Sequence, residues 1–334
     1  MTRQDPSPAD EEARTSLSRL GLGAWAFGGV GWGTQDDSDS IAAIHRAVEL
    51  GVNWIDTAPV YGNGHAEDVV GSALAALDVG ERPRVFTKAG VLIDPVSGRT
   101  YRDLTPQSLR TECEASLARL KLDCIDLYQL HWPTDDPGGI EQAWETLGEL
   151  QREGKVRWTG VSNFSVPLLD RSSARRSIDA VQTPLSLLTR DSVNDVLPWA
   201  ARRKVHALVY SPLESGLLSG RFSAHRLRSL PQTDWRRRRK QFQEPQFSRT
   251  LALLVHLELI GTGLGISLAE LAIAWTLIWP DVDGVIVGAR SAAQVDGWFG
   301  AAGLTLDDCT LDAIATALVQ TSAGEGPTRP PSLS

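Results

Sequence analysis

The strongest constraint on what this chain can fold into is a recurring alternation. Short apolar runs at 20–25, 52–56, 84–88, 125–131, 156–161, 179–182, 206–210 and 284–287 are separated by segments of helical period. The runs are apolar throughout instead of alternating, as expected of parallel strands buried on both faces. Between them, residues 41–50 place Ile41, Ile44 and Val48 on one face behind a cap at Asp39 or Ser40, and 107–120 place Leu109, Cys113, Leu117 and Leu120 on one stripe. Eight strand–helix repeats predict a (β/α)8 TIM barrel. The rival, a doubly wound open sheet, wants a G-x-G-x-x-G turn after its first strand, and that spacing is missing.

At 334 residues the chain is long for one core, but barrels of this kind commonly exceed 250 residues, so one domain is expected over 20–321. A flexible N-terminal tail at 1–19 and a C-terminal tail at 322–334 flank it. Two additions break the regular count: a long stretch at 212–262 and a last helix at 307–320. Cys113, Cys124 and Cys309 lie far apart with no C-x-x-C, which argues for a reduced compartment. The polar, acidic start is no signal peptide and no uninterrupted apolar run reaches about 18 residues, so a soluble cytoplasmic protein that spans no membrane is expected. A net charge of −8 argues against a nucleic-acid surface, and WRRRRK at 235–240 is read as a solvated loop, or as part of a lid over the barrel mouth. The histidines show no ligand spacing, and no metal is expected.

Asp56, Tyr61, Lys88 and His131 stand at or just beyond the ends of three early strands. In such a barrel the carboxyl ends of the strands share one mouth, where the chemistry is done. A phenol with an ordinary pKa of about 10 is a weak acid. A nearby ammonium lowers that pKa, and a carboxylate paired with the ammonium keeps it charged and fixed. The set suits donation of a proton to a carbonyl oxygen that histidine orients. None of these side chains supplies hydride, so a cofactor is required.

The segments DTAPVYGNGHAEDVVG, TKAG, IDLYQLHWP, GVSNFS, YSPLESGLLSGRF and VGARS, in that order, resemble the aldo-keto reductases from about Leu20 to about Thr321. GLGAWAFGG, HWP and FQEPQF (242–247) point to the bacterial branch. The resemblance implies a catalytic tetrad of Asp56, Tyr61 as acid, Lys88 and His131. It further implies that Ser162, Asn163 and Gln182 hold the carboxamide of a nicotinamide and that Tyr210 stacks on its ring.

For the rest of the cofactor, the glycines and hydroxyls of SPLESGLLSG (Ser211, Ser215, Gly216, Ser219), with Leu213 among them as a further expected contact, permit close backbone approach to a pyrophosphate. Gly288 opens a turn before a helix N-terminus, and Arg290 suits a ribose phosphate. Where much of the family carries an Arg and an Asn, this chain has Gln294 and Trp298, which leaves Arg290 and Ser291 as the expected 2′-phosphate ligands. NADPH is therefore expected over NADH.

Trp25, Trp32 and Trp132 follow the first and fourth strands and are expected to wall an apolar pocket for aromatic or medium aliphatic aldehydes and ketones. The partner is then a small carbonyl compound, with the protein a monomer or small homo-oligomer. Two alternatives stay open: a nucleotide-sensing regulatory subunit with slow turnover, and a narrow reductase of one sugar or natural-product ketone.

Overall fold

The structure, a computed structural model, describes residues 16–331 apart from 135, 137, 138 and 233. Residues 1–15 and 332–334 of the two expected tails lie outside the described residues. Ten strands are found among the described residues: β1 (Leu20–Gly23), β2 (Trp54–Asp56), β3 (Arg84–Ala89), β4 (Val91–Ile93), β5 (Thr100–Arg102), β6 (Ile125–Leu130), β7 (Val156–Ser162), β8 (Ala180–Pro184), β9 (His206–Tyr210) and β10 (Gly284–Gly288). Eight of them close a parallel barrel in the order β1-β10-β9-β8-β7-β6-β3-β2, so the expected TIM barrel is the fold. The other two form an antiparallel hairpin that the sequence reading missed.

Helices follow the strands as the apolar stripes require. Helix α1 (Asp37–Glu49) begins earlier than its stripe, because Asp36 accepts from the Ser38 N–H and caps it; neither Asp39 nor Ser40 is the cap. Helices α2 (His65–Ala75) and α3 (Pro106–Leu120) pack against each other, and α3 starts at Pro106 behind a Thr105 cap. Further along come α4 (Gly139–Arg152), α5 (Val166–Ser173), α6 (Val196–Arg203), α7 (Ala224–Ser229), α8 (Gln246–Leu264), α9 (Leu268–Ile278), α10 (Ala292–Phe299) and α11 (Asp308–Thr321). Helix α8 is long and apolar enough to cross a membrane, although Arg249, His256 and Glu258 interrupt its sequence. Phe247, Leu253, Leu254 and Leu257 are buried, and the helix packs on α11 and α9.

The barrel interior is built in layers. One inward residue from each of seven strands forms a compact apolar cluster: Trp54, Phe86, Leu127, Trp158, Ala180, Leu208 and Ile286. The eighth strand contributes Gly21, where a Cβ would fall 2.4 Å from the Trp54 ring, so only glycine leaves room for that indole. Leu17 packs beneath the cluster, and the Ser18 carbonyl accepts from Trp54 Nε1 at 2.8 Å. Residues 16–19 thus close the bottom of the barrel.

Strand period is two, so the next inward residue on each strand lies one step nearer the carboxyl end. Those residues are Gly23, Asp56, Lys88, Gln129, Gly160, Gln182, Tyr210 and Gly288. The interior thus changes from apolar to polar within two residues along the chain.

Candidate active site

Lys88 and Asp56 are fully and almost fully buried, and their ion pair lies in that polar layer. Lys88 Nζ donates to Asp56 Oδ1 at 2.6 Å, to the Thr57 carbonyl at 2.9 Å and to Tyr61 Oη at 3.4 Å. Burial lowers the Lys88 pKa, opposed by the Asp56 charge. Tyr61 stands in the turn after β2, its N–H bonded to the Ala58 carbonyl. That turn is pressed against the 3-10 turn Trp25–Gly28; a Cβ on Gly28 or Gly62 would overlap the other's backbone at 2.5 Å, so two glycines set how closely Tyr61 approaches the end of β1. The His131 ring meets Tyr61 edge-on with centroids 5.8 Å apart. The four expected residues are therefore together at the carboxyl ends of β2, β3 and β6.

The expected electrostatics needs correction. Burial first, and the Asp56 charge second, push the Tyr61 phenol well above its ordinary pKa. The Lys88 ammonium, engaged with Asp56, does not reverse this, so Tyr61 is a protonated phenol across the working range instead of a lowered acid. Burial, then Lys88, drives His131 well below its usual value. The imidazole is neutral and can offer a single N–H to an oxygen.

Around this centre stands the second expected set. Gln182 Nε2 donates to Asp56 Oδ2 at 2.8 Å. Asn163, held at φ 64°, donates to the His131 carbonyl at 2.9 Å and to Ser162 Oγ at 3.0 Å, while its Oδ1 accepts from the Tyr210 hydroxyl at 2.6 Å. Ser162, Asn163, Gln182 and Tyr210 are thus brought together beside His131. Sequence reasoning missed Gln129, wholly buried in the same layer with its amide nitrogen unpartnered. The signal was available: like Lys88 and Gln182, it follows a lower-layer residue by two.

After β9, Ser211, Glu214, Ser215 and Gly216 all have positive φ (60°, 43°, 57° and 96°), and the N–H groups of Gly216 and Leu218 turn back onto the Leu213 carbonyl. Left-handed turns of this kind make backbone concavities suited to anions. Glu214 is buried and held by the Ser186 and Thr189 hydroxyls, which fixes the loop from behind. After β10, Ser291 caps α10 without using its side chain, and Gln294 Oε1 accepts from the Arg290 N–H at 2.9 Å. The Arg290 side chain donates to Gln35 Oε1 at 2.5 Å and to the carbonyls of Trp32 and Thr34. Gly288 is exposed with no side chain against it. A polar pocket end, a left-handed turn and an arginine at a helix N-terminus fit the amide, pyrophosphate and ribose ends of a nicotinamide dinucleotide.

Aromatic rings gather beside Tyr61. Trp25 lies 6.0 Å from the Tyr61 ring and 5.2 Å from Trp32. The third member is Trp235, at 4.8 Å from Trp25 and 5.2 Å from Trp32. Trp132, after β6, has the Arg102 guanidinium of the hairpin over its ring at 5.4 Å. Trp235 comes from the basic stretch read as a solvated loop or lid. Within it Arg236 is buried, paired with Asp234 at 2.6 Å and laid over Trp32, and Arg239 lies over Trp235. The stretch covers the wall beside Tyr61. The C-terminal segment also folds back: Glu325 pairs with Lys240, Gly326 accepts from Arg190, and Arg329 pairs with Asp308 and Asp312.

Residues 19–318 match the model of the Aldo/keto reductase family. The chain is 37% identical over 291 residues to the aldo-keto reductase YhdN of Bacillus subtilis, covering 87% of this chain and 86% of that protein. It is 34% identical over 305 residues to the NADH-specific methylglyoxal reductase of Escherichia coli, covering 88% and 92%. Among solved structures, the glycerol dehydrogenase AKR11B4 from Gluconobacter oxydans superposes with a TM-score of 0.83 at 35% identity, over 95% of this chain and 96% of that one.

Proposed function

The chain belongs to the aldo/keto reductase family and is an oxidoreductase acting on carbonyl or CH–OH groups; from that premise we propose that it reduces small aldehydes and ketones with NADPH, Tyr61 giving the proton. The observation that carries this reading is the continuous contact from Asp56 through Lys88 to Tyr61, with neutral His131 at the phenol's edge. Bound reduced nicotinamide supplies the hydride that the side chains lack. Ser162, Asn163 and Gln182 would hold its carboxamide, Tyr210 would lie against its ring, and Ser211, Leu213, Ser215, Gly216 and Gly288 would cradle its phosphates.

The chain's own part is proton delivery and orientation. A carbonyl oxygen set between Tyr61 Oη and the His131 imidazole receives an N–H hydrogen bond from one and the proton from the other. Tyr61 starts protonated, as its raised pKa requires. Transfer leaves a phenolate next to the Lys88 ammonium, where opposite charge stabilises it as it forms. Asp56 keeps that ammonium in place and charged. The aromatic wall of Trp25, Trp32 and Trp235 turns an apolar face to the substrate body, which favours aromatic and medium aliphatic carbonyls. Trp132 at the rim is the other expected wall residue.

Preference for NADPH rests on Arg290 with Ser291 and Gln294, and one relative bears an NADH-specific name, so it needs its own test. Loss of reduced-nicotinamide absorbance is followed with NADPH and then NADH against a panel of aromatic aldehydes and small ketones. Turnover favouring NADPH, with the preference lost in Arg290→Ala, is the expected result. Equal dissociation constants for the two reduced cofactors would overturn the preference, and cofactor binding without any carbonyl turnover would overturn the reading as a reductase.

A further inference from the structure

We propose that Gln182 is a positioning residue for proton delivery, tying the opposite wall of the barrel to the Asp56–Lys88 pair. The inference rests on the reading of the site as a carbonyl reductase, and it goes beyond holding a carboxamide. In the closed order of strands β8 lies four places from β2 in either direction, so Gln182 and Asp56 face each other across the full width of the interior. Their hydrogen bond, at 2.8 Å, crosses the lumen.

Asp56 has two carboxylate oxygens, and each has one buried donor: Oδ1 takes Lys88 Nζ and Oδ2 takes Gln182 Nε2. Gln182 is itself buried at 3% exposure. A carboxylate held at one oxygen only can rotate about its last torsion, whereas one held from opposite sides has a fixed plane. That plane fixes Lys88 Nζ, whose donors are divided among Asp56, the Thr57 carbonyl and Tyr61 Oη. The contact with Tyr61 is the longest of the three at 3.4 Å, so it is the first to open if the carboxylate turns. Gln182 Nε2 also lies 3.5 Å from Gln129 Oε1, and the side chain keeps a carbonyl oxygen able to accept from a carboxamide. One side chain can therefore serve both the cofactor and the acid.

The test separates affinity from rate. Gln182→Met keeps the side-chain length and removes the donor. At saturating cofactor, kcat is expected to fall about ten- to a hundredfold, the equivalent of one hydrogen bond to a charged group. Gln182→Glu puts a second carboxyl against Asp56. It should be impaired near pH 8 and regain activity toward pH 6, where a proton shared by the two carboxyls restores the hydrogen bond. Cofactor dissociation constants from tryptophan quenching and melting curves accompany each variant, and if Gln182→Met fails to fold, the Glu variant carries the test alone.

Variants that weaken cofactor binding but keep kcat within twofold of the parent would overturn the proposal. So would a Gln182→Glu pH profile parallel to the parent's. Either result, with the parent active and Tyr61→Phe strongly impaired, removes this inference and leaves the reductase reading standing; a parent that reduces no carbonyl removes the reading itself.

Discussion

Two layers of one barrel interior, two residues apart along each strand, differ in almost every chemical respect. The lower layer, from Trp54 round to Ile286, is wholly apolar and includes a stacked Trp54–Phe86 pair with centroids 5.1 Å apart. The upper layer holds Asp56, Lys88, Gln129, Gln182 and Tyr210. The backbone that carries both is the same. The comparison shows how such a barrel divides its tasks: the lower layer removes aromatic and aliphatic surface from water, and on that base a buried ion pair can be held in one geometry. Substitutions in the two layers should therefore be distinguishable by what they damage.

The largest effect is expected just above the upper layer. Tyr61→Phe removes a proton donor whose hydroxyl, among the described residues, makes the one 3.4 Å hydrogen bond with Lys88. Its kcat should fall by about 10² to 10⁴, with the melting temperature nearly unchanged; steady-state rates and a melting curve on the same preparation check both. A fully active Tyr61→Phe would remove the tyrosine from its role. In the lower layer Phe86→Ala should do the reverse. Losing a fully buried ring typically costs about 3–5 kcal/mol, seen in denaturant unfolding, while the folded fraction keeps a kcat within a few fold of the parent. If Phe86→Ala lost its rate and kept its stability, the division between layers would be wrong.

How legible this was in the sequence follows from the same geometry. The strands were readable because a parallel strand buried on both faces is apolar at nearly every position, and a polar residue at its end stands out. Asp56, Lys88 and His131 were found that way, and Gln129 was not, since an amide inside IDLYQLHWP reads as one polar residue in a strand. The hairpin β4–β5 escaped because VLI and TYR are three residues long, with exposed or half-buried faces and no apolar core to mark them. The Tyr61 pKa was misjudged for a different reason. Sequence names the charges near a group but not its desolvation, and here desolvation dominates.

A smaller effect should sharpen the comparison by showing that not every buried polar group at the mouth belongs to catalysis. Glu112 of α3 accepts from the Gly90 N–H with both oxygens at 3.1 Å and from Ser108, just beyond the end of β3. Burial raises its pKa to about 7 from 4.5, against the opposing Gly90 hydrogen bond. The fold therefore favours the neutral carboxyl. Its contribution is complete below about pH 4.5 and is lost as pH rises through about 7. Glu112→Gln should flatten that part of the stability–pH curve, by about 1–3 kcal/mol between pH 5 and 8, with kcat little altered. Unfolding midpoints at the two pH values would show it; parallel curves for parent and variant would return Glu112 to an ordinary ionised carboxylate.

The smallest effect belongs to the part of the site that the barrel does not encode. Trp235 lies more than a hundred residues from Tyr61 in a basic stretch, and no local period marks it as a wall residue. Its place is set by long-range contacts: the rings of Trp25 and Trp32, the Arg239 guanidinium, and Gly31, where a Cβ would meet the Trp235 ring at 2.8 Å. The cluster lies outside the barrel interior and Trp235 is half-buried, so Trp235→Ala should leave stability and the proton-transfer step largely intact. The loss falls on binding: about 1 kcal/mol of aromatic contact becomes a several-fold rise in KM for aromatic carbonyls and a smaller rise for short aliphatic ones. A uniform fall in kcat across the panel would instead place Trp235 in the geometry of the acid itself, and the boundary between a strand-built centre and a loop-built wall would have to move inward.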